Sequence, residues 1–133
     1  MKFNSLIPEL TVSNITQTLD FYTRVLGFHI EYERPEDRFA FLSLEGNQLM
    51  VEQNNGNWSV GALEYPYGRG INFEMTVSDA AALYARIQDA GLTPFRPLKI
   101  SRYRQDDTEI VQREFLVQDP DGYLLRFADS EEI

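Results

Sequence analysis

The chain has no cysteine, one histidine and one tryptophan among 133 residues. Without cysteine there is no disulfide, no thiolate zinc site and no cysteine nucleophile. The single imidazole, His29, follows Phe28 and precedes Ile30, and it reads as a surface or interface residue rather than a ligand or proton carrier. No apolar run approaches the roughly 18 residues a membrane span needs. Met1-Lys2 leads into a strand with no signal-peptide core, so the expectation is a cytoplasmic protein with no membrane partner. Positive charge is scarce as well. The formal net charge of −9 would repel the phosphates of a nucleic acid, which argues against that partner. The surplus of carboxylates then leaves two readings, solubility or a field that attracts cations. No spacing picks out an activated nucleophile, so no catalytic residue is assigned.

What is present organises itself around Asp119-Pro120-Asp121-Gly122. Proline fixes φ, aspartate can bond its own backbone, and glycine accepts φ > 0, so these four residues read as a turn. Beyond the turn, Tyr123, Leu125 and Phe127 alternate with Leu124, Arg126 and Ala128, the mark of a strand with two different faces. Phe115-Leu116-Val117 supplies a partner, and residues 111–128 read as a hairpin. At this length the chain is one domain with room for a core.

In chain order, a first strand is expected over Phe3–Val12, with Pro8, Leu10 and Val12 on one face and Ile7, Glu9 and Thr11 on the other. Asn14 is an N-cap. Ile15, Leu19, Tyr22 and Leu26 follow at helical spacing, and Gly27 stops the helix. Strands are then expected near 28–33, 38–44 and 47–53. Residues 54–70, rich in Gly and Asn, form a linker that holds Trp58, Tyr65 and Tyr67. The pattern then repeats. Phe73, Met75 and Val77 alternate with Asn72, Glu74 and Thr76, Asp79 caps a helix carrying Leu83, Tyr84 and Ile87, and Gly91 ends it. Strands near 95–101, 111–118 and 122–128 complete the unit, with 102–110 as a polar insertion. The fold class is therefore α+β: two βαβββ modules, about 3–53 and about 71–128, joined by the linker.

Pro8-Glu9-Leu10-Thr11-Val12-Ser13-Asn14, then Phe21-Tyr22 and Leu26-Gly27-Phe28, together with the second module and its Asp-Pro-Asp-Gly turn, resemble the vicinal oxygen chelate proteins. That superfamily includes glyoxalase I, extradiol dioxygenases, and fosfomycin- and bleomycin-resistance proteins. The resemblance spans nearly the whole chain and implies curled mixed sheets around a cavity, commonly within a homodimer. It also implies metal-ligand positions in the first and last strand of each module. Those positions fall here on Ile7, on Asn72, on Arg126, and on Met50 or Glu52 depending on alignment. Imidazole and carboxylate donors are what such sites need, and an arginine repels the ion. No metal and no other cofactor is expected. The Leu49-Met50-Val51-Glu52 strand and the Asp-Pro-Asp-Gly-x-Leu-Leu-Arg ending resemble the bleomycin-resistance branch most, which binds a bulky cationic drug without metal.

Strand parity gives a cavity face of its own: Ile7, Glu9, Thr11, Asn72, Glu74 and Thr76, with Gln48, Met50, Glu52, Leu124 and Arg126 from the last strands. Three glutamates against one arginine are costly to leave unpaired, so either Arg126 bridges Glu52 or Glu74, or a cationic ligand satisfies them. Phe39 and Phe41 read as core or as a ligand platform. Trp58, Tyr65 and Tyr67 read as a hydrophobic plug or as stacking surfaces. The expected function is metal-independent binding of a small cationic or amphipathic molecule by a homodimer. The alternative is a glyoxalase-like lyase or dioxygenase with a divalent metal at displaced ligands such as Glu9, Glu52 and Glu74.

Overall fold

Asn14 opens the first helix by accepting the Gln17 amide on its side-chain oxygen at 3.0 Å, and Asp79 opens the second by accepting that of Ala82 at 3.0 Å. These caps satisfy amides that the first turn leaves orphaned. They also mark the same point in two βαβββ repeats of the computed structural model, which describes residues 1–132. The first repeat comprises β1 (Glu9–Val12), α1 (Ile15–Asp20), β2 (His29–Arg34), β3 (Phe39–Leu44) and β4 (Asn47–Gln53). The second comprises β5 (Asn72–Thr76), α2 (Ala80–Asp89), β6 (Arg96–Gln105), β7 (Thr108–Gln118) and β8 (Leu124–Glu132). Among the described residues no helix is long and apolar enough to cross a membrane.

Each repeat forms a four-stranded mixed sheet of the same topology, β1-β4-β3-β2 in one and β5-β8-β7-β6 in the other. The first and last strands of a repeat are parallel neighbours and the other pairs are antiparallel. Leu10, Val12, Leu49, Val51, Ala40 and Leu42 are buried on one face of the first sheet, together with Tyr22, Val25 and Leu26 of the helical segment. Met75, Val77, Phe115, Val117, Leu125, Phe127 and Ile87 form the corresponding core of the second. Both cores follow the alternation of period two read from the sequence.

Several boundaries differ from the sequence reading. The first strand covers Glu9–Val12 rather than Phe3–Val12. Residues 2–4 are held through side chains instead of a ladder: Asn4 N donates to Gln48 Oε1 and Gln48 Nε2 donates to the Lys2 carbonyl. The first helix changes to a π-helical turn over Phe21–Val25, in which Leu26 N reaches the Phe21 carbonyl. This wider turn brings Phe21, Tyr22, Val25 and Leu26 all into the core. Residues 102–110, read as a polar insertion, are mostly paired strand rather than loop. They form the tip of the long β6–β7 hairpin, where Tyr103 faces Ile110 and Arg104 faces Glu109. Polar residues there satisfy the backbone through cross-strand pairing while their side chains remain in water, which removes the apolar alternation that signals a strand.

By contacts the chain divides into two units: Met1–Tyr67 with Asp119–Gly122, and Gly68–Gln118 with the chain from Tyr123. The four turn residues therefore belong with the first repeat, although the sequence places them in the second. Asp121 accepts both the backbone amide and the hydroxyl of Ser13. Asp119 accepts the Tyr22 hydroxyl at 2.8 Å and the Asp121 amide at 2.9 Å. Both aspartates are buried, and carboxylates are buried only when so satisfied. Gly122, at a φ of +95°, lies against Pro66 so closely that an added Cβ would come within 2.5 Å of the proline ring. This turn is therefore a structural clasp within the first unit.

Candidate functional site

On the first sheet, the face opposite the helix is built by direct cross-strand registers. Glu9 is opposite Met50 and Thr11 is opposite Glu52; Met50 is opposite Phe41 and Glu52 is opposite Phe39; Phe41 is opposite Tyr32 and Phe39 is opposite Arg34. Facing pairs project to the same side, so all eight residues share it. Rings form a continuous layer: Tyr32 stacks on Phe41 at 5.3 Å and tilts against Phe39 at 6.0 Å, while Phe3 meets Phe41 edge-on at 5.3 Å. The Arg34 guanidinium lies 4.1 Å above the Phe39 ring. That contact displays what the ring surface attracts, a planar cation over a negative π-face.

The charge on this face is unbalanced. Partial burial, reinforced by the neighbouring Glu52 carboxylate and only offset by Arg34, pushes the Glu9 carboxyl above the usual glutamate range. Arg34 also donates through Nε to Asp37 at 3.2 Å, so it is shared. Glu52 accepts from Asn55 Nδ2 at 3.2 Å. This bond ties the start of the linker to the acidic edge three residues before Trp58. Trp58 and Tyr65 are exposed, at 65% and 63%, whereas Tyr67 is half-buried with its amide donating to the Asp121 carbonyl. Phe39 and Phe41 are buried, so their edges and the exposed Tyr32 present the ring layer. Tyr32 and Arg34 were missed in the sequence because β2 is exposed throughout and carries no alternation to fix its parity.

On the second sheet, Asn72, Glu74, Leu124 and Arg126 share one face, since Asn72 pairs with Leu124 and Glu74 with Arg126. Arg126 makes its short contact with Glu114, Nε to Oε2 at 2.9 Å, and lies 3.7 Å from Glu74. Of the two partners expected for Arg126, Glu74 is found in contact, and Glu114, which was not expected, makes the shorter bond. Glu114 could have been found by parity from Phe115 and Val117, but its choice as partner depends on the β7–β8 register. These bonds hold Arg126 firmly in its charged form.

The positions at which relatives hold a metal are poorly furnished. Ile7 has no donor, Asn72 offers only an amide, and Arg126 is a cation already bonded to Glu114. Among the described residues, no three His, Cys, Asp or Glu side chains come together as a metal-binding group. The residues present do not fit the ion. His29 is exposed on β2 opposite Ser43, on a different strand from every residue above except Tyr32 and Arg34.

A search of curated proteins gives no match. A superfamily member from Vibrio splendidus 12B01 is 36% identical over 94% of this chain and 95% of its own, with a TM-score of 0.44. TioX from Micromonospora sp. ML1 is 23% identical, covering 96% of this chain and 98% of its own, with a TM-score of 0.74. A glyoxalase/bleomycin resistance protein/dioxygenase from Alicyclobacillus acidocaldarius is 23% identical over 95% and 90%, with a TM-score of 0.64. The last two share the fold. The profile of one family matches residues 3–127, nearly the whole chain. With its two βαβββ repeats, this chain belongs to the Glyoxalase/Bleomycin resistance protein/Dioxygenase superfamily.

Proposed function

We propose that the protein is a metal-independent binder of a small cationic or amphipathic organic molecule, of the bleomycin-resistance type, and that it works as a homodimer. The observation that carries this reading is the face of the first sheet, where the half-buried Glu9–Glu52 pair borders a layer of aromatic rings. Two carboxylates with one shared arginine leave a negative charge that a ligand cation relieves, and the rings supply a stacking surface for its planar part. Each cation–π contact contributes about 0.5–2 kcal/mol, more as water is excluded. Metal independence is supported by Ile7, Asn72 and Arg126 standing where donors would be required. The dimer is supported by β2, an edge strand exposed along its length that presents Ile30 and Tyr32; such edges invite pairing with a second copy.

Titration with bleomycin while following the emission of Trp58 tests the ligand class. Quenching is expected, and it should weaken as salt rises from about 0.1 M to 1 M, because the Debye length falls from roughly 10 Å to 3 Å. Glu52→Gln should reduce affinity by about tenfold or more, the equivalent of one charge-assisted hydrogen bond. Binding that is absent, or indifferent to salt and to Glu52, would remove this reading. Sedimentation decides the dimer, since a stable 15.4 kDa species at micromolar concentration contradicts it. Elemental analysis should find less than stoichiometric zinc, nickel, iron or manganese.

A further inference from the structure

The second unit carries a cavity of about 360 Å³ on the open face of its sheet, within the range of sites that enclose small ligands, roughly 300–1,000 Å³. Its floor is a single cross-strand row: Arg96 on β6 faces Leu116 on β7, which faces Arg126 on β8. Leu124 and Phe95 provide apolar walls, and Phe95 is half exposed, at 50%. The two arginines differ in state. Arg126 is held by Glu114 at 2.9 Å and lies near Glu74 at 3.7 Å. Arg96 has no ion pair among the described residues; its guanidinium lies 5.7 Å from the centre of the Phe95 ring. In a chain of net charge −9, with nearly twice as many carboxylates as cations, an arginine left without a carboxylate at the mouth of a cavity is conspicuous.

We propose that this cavity binds a small organic monocarboxylate with a flat apolar tail. The carboxylate meets the Arg96 guanidinium, whose fork of donors matches its two oxygens, and the tail covers Phe95 and Leu124. The Arg126–Glu114 pair closes the row beneath and, being internally neutralised, adds little charge of its own. Selectivity for one negative charge therefore resides in Arg96. A cation is disfavoured here, which separates this site from the acidic face of the first sheet, and the proposal does not rest on the function proposed for that face.

The test is a titration of the full-length protein with 3-phenylpropanoate, followed by the amide resonances of a uniformly labelled sample. Saturable shifts centred on Phe95, Arg96, Leu116 and Leu124 are expected, with a Kd near or below about 1 mM. Arg96→Gln should weaken binding by about tenfold while leaving the spectrum of the free protein otherwise intact, because Arg96 supports no ion pair in the fold. The neutral amide of the same acid should bind about tenfold less tightly than the acid. Three results overturn the proposal: no shifts up to roughly 20 mM, equal affinity for acid and amide, or binding unaffected by Arg96→Gln. Inorganic phosphate shifting the same resonances with equal strength would also overturn it, since the apolar walls would then contribute nothing.

Discussion

Removing one oxygen from the core should measure how strongly the turn of residues 119–122 is clasped. Tyr22 is fully buried and its hydroxyl donates to Asp119, itself only 3% exposed. Tyr22→Phe keeps the ring, including its edge-on contacts with Phe21 and Phe28, and deletes only the donor. Hydrogen bonds to a charged group contribute about 1.5–3 kcal/mol, and the buried carboxylate left short of a partner puts the expected cost in that range. Unfolding entropies near 2.1 cal/mol/K per residue make each 1 kcal/mol about 4 °C here. The melting temperature should therefore fall by about 5–10 °C. Tyr84→Phe is the control. Tyr84 is half-buried against Phe115 at 5.2 Å and its hydroxyl has no hydrogen bond among the described residues. Differential scanning calorimetry of both variants, with Asp119→Asn and the double substitution completing a cycle, isolates the pair. The coupling should be at least about 1 kcal/mol. If Tyr22→Phe costs no more than Tyr84→Phe, or if the two substitutions simply add, the clasp contributes no such energy.

Two further perturbations test other parts of the structure. Gly46 and Gly122 have φ of +85° and +95°, but a Cβ at Gly46 meets nothing within 4 Å whereas one at Gly122 strikes Pro66. Denaturant unfolding should show Gly46→Ala costing about 1–2 kcal/mol and Gly122→Ala at least about twice that; equal costs would mean that Pro66 yields. The Glu9 carboxyl is pushed up by burial and by Glu52. A carboxyl whose folded pKa is raised stabilises the fold below its unfolded pKa and loses that contribution as pH rises through the folded value. Glu9→Gln should thus raise the melting temperature at pH 7, with the advantage vanishing below about pH 4. A variant less stable than the wild type at neutral pH would contradict the assigned cause. If the cation site is as proposed, the same substitution also weakens ligand binding, so stability and affinity move in opposite directions.

The sequence by itself determined the repeat. Caps at Asn14 and Asp79, stops at Gly27 and Gly91, and alternation in β1, β4, β5 and β8 are local signals, because cap chemistry and side-chain period act over one turn or one strand. They were sufficient for the α+β class and for the placing of Glu9, Met50 and Glu52 on one face, while the family rested on the resemblance of the Pro8–Asn14, Phe21-Tyr22, Leu26-Gly27-Phe28 and Asp119–Gly122 motifs. The polar β6–β7 tip was read as an insertion because its strands are specified by pairing with each other rather than by a buried side.

Only the tertiary structure decided which charges meet. Arg126 takes Glu114 through the register of β7 and β8, and Arg96 is left open on the same row. Tyr32 and Arg34 join the aromatic layer through pairing with β3, and Asp119 and Asp121 turn out to satisfy Tyr22 and Ser13, about a hundred positions away in the chain. Ion pairs and hydrogen bonds extend only a few ångströms, so partners distant in sequence are specified by register and packing, which no local pattern of residues encodes.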